Sequence, residues 1–440
     1  MIDGVSEESD TSVDELEAIA LQLQGEVDRL DQRNQALERR VQHLERDRDK
    51  LRQRIRDLTS ASLPRRLLRA LRRPSPRAEE DASSPLPNVT ASSHAVDIPD
   101  DVGRIPDLDL PRFEPRLSDL RVAAILDPFS QAAFAPECAL EPLTATGWRA
   151  QVEEVEPNLL FVESAFTGPA GSWAHRIARV GEPHDELREI VAWCRQRSIP
   201  TIFWNKEDPA NFRWFIDSAS LFDWVFTVDV DTIDRYRRTL GHDRVGVMPF
   251  AAQPALQHPG EGDRLGRVAF AGTYYAQKHP SRLEQIESIV DPAREFGLHI
   301  FDRMGTREDA RFSWPERFRS HIVGSLTYPQ VLEAYRRYRI FLNVNTVTSS
   351  PTMCARRIFE LAASGTPIVT GPSRAVEVMM PEEAISVCRT PDETRSEIGA
   401  LLEDDARWQR QADAARRWVL QQHTYEHRLA DLLETVGLAS

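Results

Sequence analysis

Phe341-Leu-Asn-Val-Asn-Thr-Val-Thr-Ser-Ser-Pro-Thr-Met-Cys-Ala-Arg-Arg-Ile-Phe-Glu-Leu-Ala-Ala-Ser-Gly-Thr-Pro-Ile-Val-Thr370 decides the fold of this chain. Ile340–Val344 has the composition of a buried strand. Asn345–Ser350 is a small polar loop, interrupted only by Val347 and closed by Pro351. A helix is predicted from about Met353 to Ser364, with Gly365 as its stop signal and Pro367-Ile-Val-Thr370 opening the next strand. Strand, polar loop, helix, turn and strand make up one unit of a parallel α/β sheet. Ligands of such sheets sit at the carboxyl ends of strands, where helix N-termini favour anions such as a diphosphate. Glu360, about two turns into the predicted helix and flanked by Phe359 and Leu361, needs a polar partner.

Outward from this stretch the chain alternates between strand and helix patterns. Strands are predicted at Arg121–Leu126, Asn158–Glu163, Pro200–Trp204, Trp224–Val228 and Arg244–Met248, with helices such as Asp185–Gln196 and Thr232–Leu240 between the later ones. A second series follows: Arg267–Ala271, Leu298–Phe301, Ile340–Val344, Thr366–Thr370 and Ala384–Val387. This is the pattern of two doubly wound units meeting near Pro249–Arg264, with helices from Asp405 to Val436 at the end. The domain boundaries are placed at 1–12 (tail), 13–60 (coiled coil), 61–118 (basic segment and linker), 119–250 and 251–420 (two Rossmann-like domains), and 421–440 (a helix crossing back to the first domain).

Residues 13–58 carry heptads. Leu16, Leu23, Leu30, Leu37, Leu44, Leu51 and Leu58 share one position; Val13, Ala20, Val27, Asn34, Val41, Arg48 and Ile55 share the complementary one. Leu at d with β-branched residues at a specifies a parallel dimer, and Asn34 at a fixes its register. The bland alternative is one amphipathic helix packed on the body. Pro64–Arg73 is basic and amphipathic, read either as a solvated helix end or as a peripheral contact with anionic lipid. Residues 74–117, rich in Pro, Ser and Asp, read as a disordered linker.

A net charge of −14 argues against general nucleic-acid binding. Cys138, Cys194, Cys354 and Cys388 are widely spaced, with no metal-binding pattern, and fit reduced thiols in the cytoplasm. The acidic N-terminus lacks a signal-peptide core, and no run approaches the roughly 18 apolar residues of a spanning helix. No Gly-x-Gly-x-x-Gly follows a strand, and Gly168-Pro-Ala-Gly171 lacks the Lys-Ser/Thr ending of a phosphate loop. Asp229-Val-Asp231 reads as an N-cap rather than a metal pair.

The order of segments in the second half resembles the nucleotide-sugar half of GT-B glycosyltransferases. Ile322-Val-Gly324 stands where that family turns its backbone to the base, a helix ending at Tyr335 follows, and Glu360-Leu-Ala-Ala-Ser-Gly-Thr-Pro-Ile-Val369 closes the block. Asn343, Asn345, Ser350-Pro-Thr-Met353 and Arg356-Arg-Ile-Phe-Glu360 are similar to the CgeB-like, spore-maturation-type branch, as are Val162-Glu-Ser-Ala165 and Phe203-Trp-Asn-Lys-Glu-Asp-Pro209. The resemblance covers roughly 120–436. It implies two Rossmann-like domains facing across a cleft, a nucleoside diphosphate sugar as donor, no cofactor or metal, and a hydroxyl of a glycan or lipid-linked acceptor.

On the donor side the resemblance assigns Gly272, Lys278, Arg282, Arg303, Gly324, Asn343, Asn345, Ser350, Thr352, Met353, Arg357 and Glu360. Glu360 would accept hydrogen bonds from ribose hydroxyls, because a carboxylate suits a vicinal diol; its alternative is a pair with Arg356, one turn earlier. Many retaining members carry a second glutamate where Thr352 stands, which leaves the stereochemistry open. On the acceptor side Glu163, Glu207, Asp208 and His175 are candidate bases, each with an ordinary structural alternative. Trp173 and Trp204 are read either as sugar-stacking rings or as core. A nucleotide-sugar epimerase and a non-catalytic dimeric scaffold remain as other readings of the same fold.

Overall fold

The computed structural model describes residues 96–98, 103–276, 279–304 and 311–438. The tail, the heptad segment, the basic segment and Lys278 lie outside the described residues. Within the stretch expected to be linker, β1 (Val96–Ile98) and β2 (Gly103–Ile105) form an antiparallel hairpin. The linker reading is corrected here because apolar side chains anchor the segment: Ile98 and Ile105 are buried in the core of the body.

The first half contains β3 (Leu117–Ile125), α1 (Pro128–Phe134), β4 (Cys138–Pro142), α2 (Trp148–Val155), β5 (Leu159–Glu163), α3 (Asp185–Gln196), β6 (Thr201–Asn205), α4 (Phe212–Ala219), β7 (Trp224–Thr227), α5 (Ile233–Leu240) and β8 (Val245–Val247). Its sheet runs β4-β3-β5-β6-β7-β8, all parallel. Every residue of β5 and β6 is buried. Helices cover both faces of such a sheet, so its central strands read as continuous apolar runs without alternation. β4, with a Pro at its end and a polar Glu141, has no such run, and it went unpredicted.

The second half contains β9 (Gly266–Gly272), α6 (Pro280–Gln285), β10 (Leu298–Asp302), β11 (Ile322–Gly324), α7 (Tyr328–Arg337), β12 (Tyr338–Asn343), α8 (Arg357–Ala363), β13 (Ile368–Thr370), α9 (Arg374–Met379) and β14 (Ser386–Val387). Helices α10 (Pro391–Glu403), α11 (Asp405–Gln422) and α12 (Tyr425–Val436) follow. The sheet order β11-β10-β9-β12-β13-β14 is that of a dinucleotide-binding Rossmann sheet, again all parallel. Two such sheets in tandem are the GT-B fold. In each, strand order reverses once: between β3 and β5 in the first, between β9 and β12 in the second. Those two crevices are where the topology leaves room for ligands.

The quoted stretch folds largely as its pattern predicts, with one difference. The helix is shorter: α8 starts at Arg357, so Glu360 lies in its first turn. Residues ahead of it are held elsewhere, since Ser350 Oγ accepts from Met353 N at 3.0 Å and Thr352 bonds to the first half. Gly365 takes φ +63° after the helix, the left-handed stop that favours glycine.

The halves share a hydrophobic core. Phe134, Phe161 and Trp204 of the first meet Phe250, Tyr335, Phe359 and Tyr425 in one cluster. The last helix also joins them: Tyr425 packs edge-on to Phe134 at 4.9 Å, and Arg428 Nε donates to Pro249 O at 3.1 Å.

Candidate active site

The crevice of the second sheet is lined by arginine. β9 ends at Gly272, where a Cβ would come within 2.9 Å of the Phe270 ring and 3.3 Å of Arg282 Nη2. Only glycine lets the chain pass this close. From α6, Arg282 reaches across the crevice. Its Nη2 donates to Thr273 O on the β9 side at 3.2 Å, and its Nη1 to Val344 O on the β12 side at 3.3 Å. Arg357, first residue of α8, donates to Ala271 O. Arg303, just past β10, is exposed and donates to Tyr275 Oη at 3.3 Å.

Burial pushes Arg282 down to about 10; Tyr275 opposes this, while Arg357 and Arg303 push the same way. None of the three guanidinium groups makes a salt bridge with a described residue. Arg282 Nε, Arg357 Nε and Thr273 Oγ1 are buried without a hydrogen-bond partner. Concentrated positive charge with unmet donors is chemically incomplete and suits a polyanion, since guanidinium groups recognise phosphate oxygens through paired N–H donors.

The crevice of the first sheet is filled instead. Lys206, after β6, is 3% exposed and donates to Asp127 Oδ2 and Glu163 Oε1, both at 2.8 Å. Glu163 also accepts from Ser130 Oγ at 2.6 Å and Asp127 N at 2.5 Å; Asp127 Oδ1 accepts from Gly168 N at 3.1 Å. Burial raises the Glu163 carboxyl, with Lys206 opposing and Asp127 adding to the rise. Burial alone would lower Lys206, but Asp127 and Glu163 outweigh it and hold the ammonium above its ordinary value. Glu163 is thus sealed in a charged network and cannot meet an acceptor, which corrects its assignment as a base. Neither Asp127 nor Ser130 was singled out from sequence. Both belong to the Asp-Pro-Phe-Ser turn after β3, and the signal that could have found them was that strand end.

Asp208 is corrected for the same reason. It is fully buried and accepts from Asn205 Nδ2 at 2.9 Å, Thr227 Oγ1 at 2.7 Å and Tyr236 Oη at 2.9 Å. Burial pushes it up to about 7, against the bonds from Thr227 and Tyr236. Glu207 differs. It is half-buried at the end of β6, and Asn211 Nδ2 donates to its Oε2 at 2.9 Å. Burial raises its carboxyl, while Lys206 and, from the second half, Arg303 lower it. Of the four candidate bases it is the one that the structure brings near the arginine cluster. His175 is exposed in the loop after β5, with φ +61°.

Other donor-side assignments resolve into structural roles. Asn343 Nδ2 donates to Asn345 Oδ1 at 3.1 Å and Thr370 Oγ1 at 3.0 Å, and Asn345 Nδ2 to Gly371 O at 2.9 Å, so the pair pins β12 to β13. Gly324 ends edge strand β11, two strands from the crevice; a Cβ there would lie 3.0 Å from Val96 of the hairpin. The base-facing turn is therefore a strand end facing β1. Ser350 Oγ donates to Asp229 Oδ1 at 2.5 Å and Thr352 Oγ1 to Val228 O at 2.9 Å, both across to the first half. Met353 is half-buried against the shared core. Asp229 also caps the turn after β7 by accepting from Asp231 N. Trp173 and Trp204 are buried core, their indole N–H groups bonded to Leu143 O and Met248 O.

Glu360 is 1% exposed, and both its oxygens are engaged. Arg356 Nε lies 3.0 Å and Tyr328 Oη 2.9 Å from Oε1, and Tyr335 Oη 3.1 Å from Oε2. The Arg356 pairing weighed from sequence is present, and a ribose hydroxyl would have to share this buried carboxylate with three donors already bonded to it. A hollow of about 450 Å³ between Arg195, Pro200, Asp223 and Leu438 lies at the amino end of β6, away from both crevices. Among the described residues no His, Cys, Asp or Glu cluster could hold a metal ion, and no helix is long and apolar enough to cross a membrane.

Residues 282–434 match a family described as glycosyl transferase-like. No curated protein matches. Solved structures of similar architecture include Anabaena HepE in complex with UDP and glucose, 10% identical, with 72% of this chain and 91% of that chain covered and a TM-score of 0.44. Sucrose-phosphate synthase from Thermosynechococcus elongatus is 12% identical over 67% of this chain and 78% of that chain, TM-score 0.42. A glycosyltransferase from Rickettsia africae is 10% identical over 72% of this chain and 97% of that chain, TM-score 0.43. The matched segment runs from Arg282 in α6 into α12 and includes Arg282, Arg303 and Arg357.

Proposed function

We propose that the protein transfers a sugar from a nucleoside diphosphate sugar to an acceptor hydroxyl. The observation that carries this is the crevice between β9 and β12, where Arg282, Arg303 and Arg357 gather without a carboxylate salt-bridge partner among the described residues and leave buried donors unmet. A diphosphate supplies the charge and the acceptor oxygens they lack. During transfer the acceptor oxygen bonds to the sugar's anomeric carbon, the bond from that carbon to the diphosphate breaks, and the electron pair leaves with the phosphate. Fixed guanidinium groups stabilise that developing charge, the work a metal does in other transferases. Glu207 removes the hydroxyl proton, and a raised carboxyl pKa brings it closer to the operating pH of a general base.

The Ser-Pro-x-Met and Arg-Arg-x-Phe-Glu segments support the CgeB-like branch, and with it a surface glycan or lipid-linked acceptor on the cytoplasmic side. The heptads of residues 13–58 would join two copies, so that two active sites serve one polymer, with the basic segment beside the membrane surface. An epimerase would need an acid and a base in the first half; with Glu163 and Asp208 held in buried networks, transfer is the simpler chemistry. The test is a thermal-shift screen across nucleoside diphosphate sugars, in which a ligand at 100 times its Kd stabilises by about 2.7 kcal/mol. If none raises Tm, the transferase reading fails.

A further inference from the structure

The segment between β12 and α8 belongs by sequence to the second half, and its amino end is bonded there, yet it is fastened to the first half at two later points. At the first point Thr352 Oγ1 donates to Val228 O and accepts from Val230 N, both at 2.9 Å. Val228–Val230 follows β7, where the sheet ladder has ended and these backbone groups need partners from outside it. A hydroxyl can donate and accept at once, so threonine closes the gap with a single side chain. Ser350 Oγ adds its 2.5 Å bond to Asp229, which lies between those two residues. At the carboxyl end the Arg356 guanidinium sits 3.8 Å from the Phe129 ring centre, and Lys206 Nζ sits 4.0 Å from the same ring. The next residue is Arg357.

We propose that Thr352 is a positioning residue: by fastening this segment to the end of β7 it sets Arg357 over the anion crevice, so that donor affinity depends on how the first half is seated. The inference rests on reading the crevice as a diphosphate site. A sequence change at position 352 then acts on the nucleotide although Thr352 itself bonds to the opposite domain.

The test is calorimetric titration of the full chain with UDP, GDP and ADP. For the nucleotide that binds the wild type, Thr352→Val, which keeps the shape and removes the hydroxyl, weakens binding about tenfold, the scale of one or two lost hydrogen bonds. Thr352→Ser restores binding to within about twofold, because the same bonds can be made. In an Arg357→Met background Thr352→Val has no further effect, since the residue through which it acts is gone. If Thr352→Val does not fold, Phe129→Leu loosens the other end and carries the same expectations. No binding by the wild type overturns the diphosphate reading itself. Wild-type binding with unchanged affinity in Thr352→Val, or an equal loss in the Arg357→Met background, overturns only the positioning role.

Discussion

Replacing Lys206 by Met tests the first half's crevice directly. The side chain is of similar length and apolar, so the change removes one charge and two hydrogen bonds with little change in volume. Lys206 Nζ lies 2.8 Å from each of two carboxylates, and all three side chains are essentially inaccessible to water. Without the ammonium, Asp127 and Glu163 face each other in a dry site. Glu163 keeps its bonds from Ser130 and Asp127 N, and Asp127 keeps Gly168 N. Those dipoles do not replace a full charge. Breaking a buried ion pair from one side costs about 3–5 kcal/mol. At about 2–4 °C per kcal/mol for a large domain, Tm falls by roughly 10 °C.

The pH dependence supplies a sign. In the folded chain Glu163 already sits above its ordinary value because of burial, with Lys206 pulling it down. A carboxyl with a folded pKa above its unfolded value of about 4.3 binds more protons when folded, so its contribution to stability declines as pH rises through the folded value. Removing Lys206 raises the folded value further and lengthens that decline. The penalty of Lys206→Met is therefore largest near pH 8 and smaller near pH 5, where the chain can protonate Glu163. Denaturant unfolding followed by tryptophan fluorescence at the two pH values measures it. A loss below 1 kcal/mol at pH 8, or equal losses at both, would show that the buried charges are not coupled as described.

Arg282→Met is expected to weaken nucleoside diphosphate binding by about 2 kcal/mol, roughly thirtyfold, as one set of charge-assisted hydrogen bonds is lost; unchanged calorimetric affinity would remove the crevice from the donor site. Glu207→Gln is expected to lower kcat by about 10²–10⁴-fold with donor affinity preserved, and wild-type kcat should rise with pH through a carboxyl value above the usual range; full activity in the variant returns His175 to consideration as the base. Glu360→Gln is expected to cost about 3 kcal/mol of stability, since it removes one partner of a buried ion pair, while nucleotide affinity changes by no more than a few-fold. A hundredfold loss of affinity at unchanged Tm would assign the carboxylate to the ribose.

Parallel strands buried on both faces are unusually legible: β5, β6 and β12 were visible as apolar runs ending in polar residues, and β9 as one ending in glycine. In the two six-stranded sheets the strands missed, β4 and β11, lie at sheet edges, where burial imposes less on composition, and the β1–β2 hairpin was hidden in a stretch read as linker. The arginines of the second crevice were legible because α6 begins at Pro280, two residues after the Ala-Gln-Lys sequence, and α8 begins inside a recognisable motif. The partners of each acid were not. Glu163, Glu207 and Asp208 all follow strong strands and look equivalent as text. What separates them is a lysine, a serine and an aspartate brought from β3 and β6 to one point for Glu163, a tyrosine from α5 for Asp208, and little beyond Asn211 for Glu207.

The contrast between the two crevices is itself an argument about division of labour. Both sheets open a gap at their point of reversal, and a tandem fold can use both as ligand sites. The first gap is closed by its own ion network with net negative charge, and the second is left with net positive charge and unmet donors. An anion is therefore better matched by the second crevice than by the first, which is the side on which the proposed donor would sit. Phe129 stands between them, with Lys206 against one side of its ring and Arg356 within 3.8 Å. Two cations this close to one ring repel each other, and each is offset by its own carboxylates, Lys206 by Asp127 and Glu163, Arg356 by Glu360. Glu360 thus supports the Arg356–Phe129 contact between the halves whether or not it ever meets a ribose, which is why its substitution is expected to act on stability before it acts on binding.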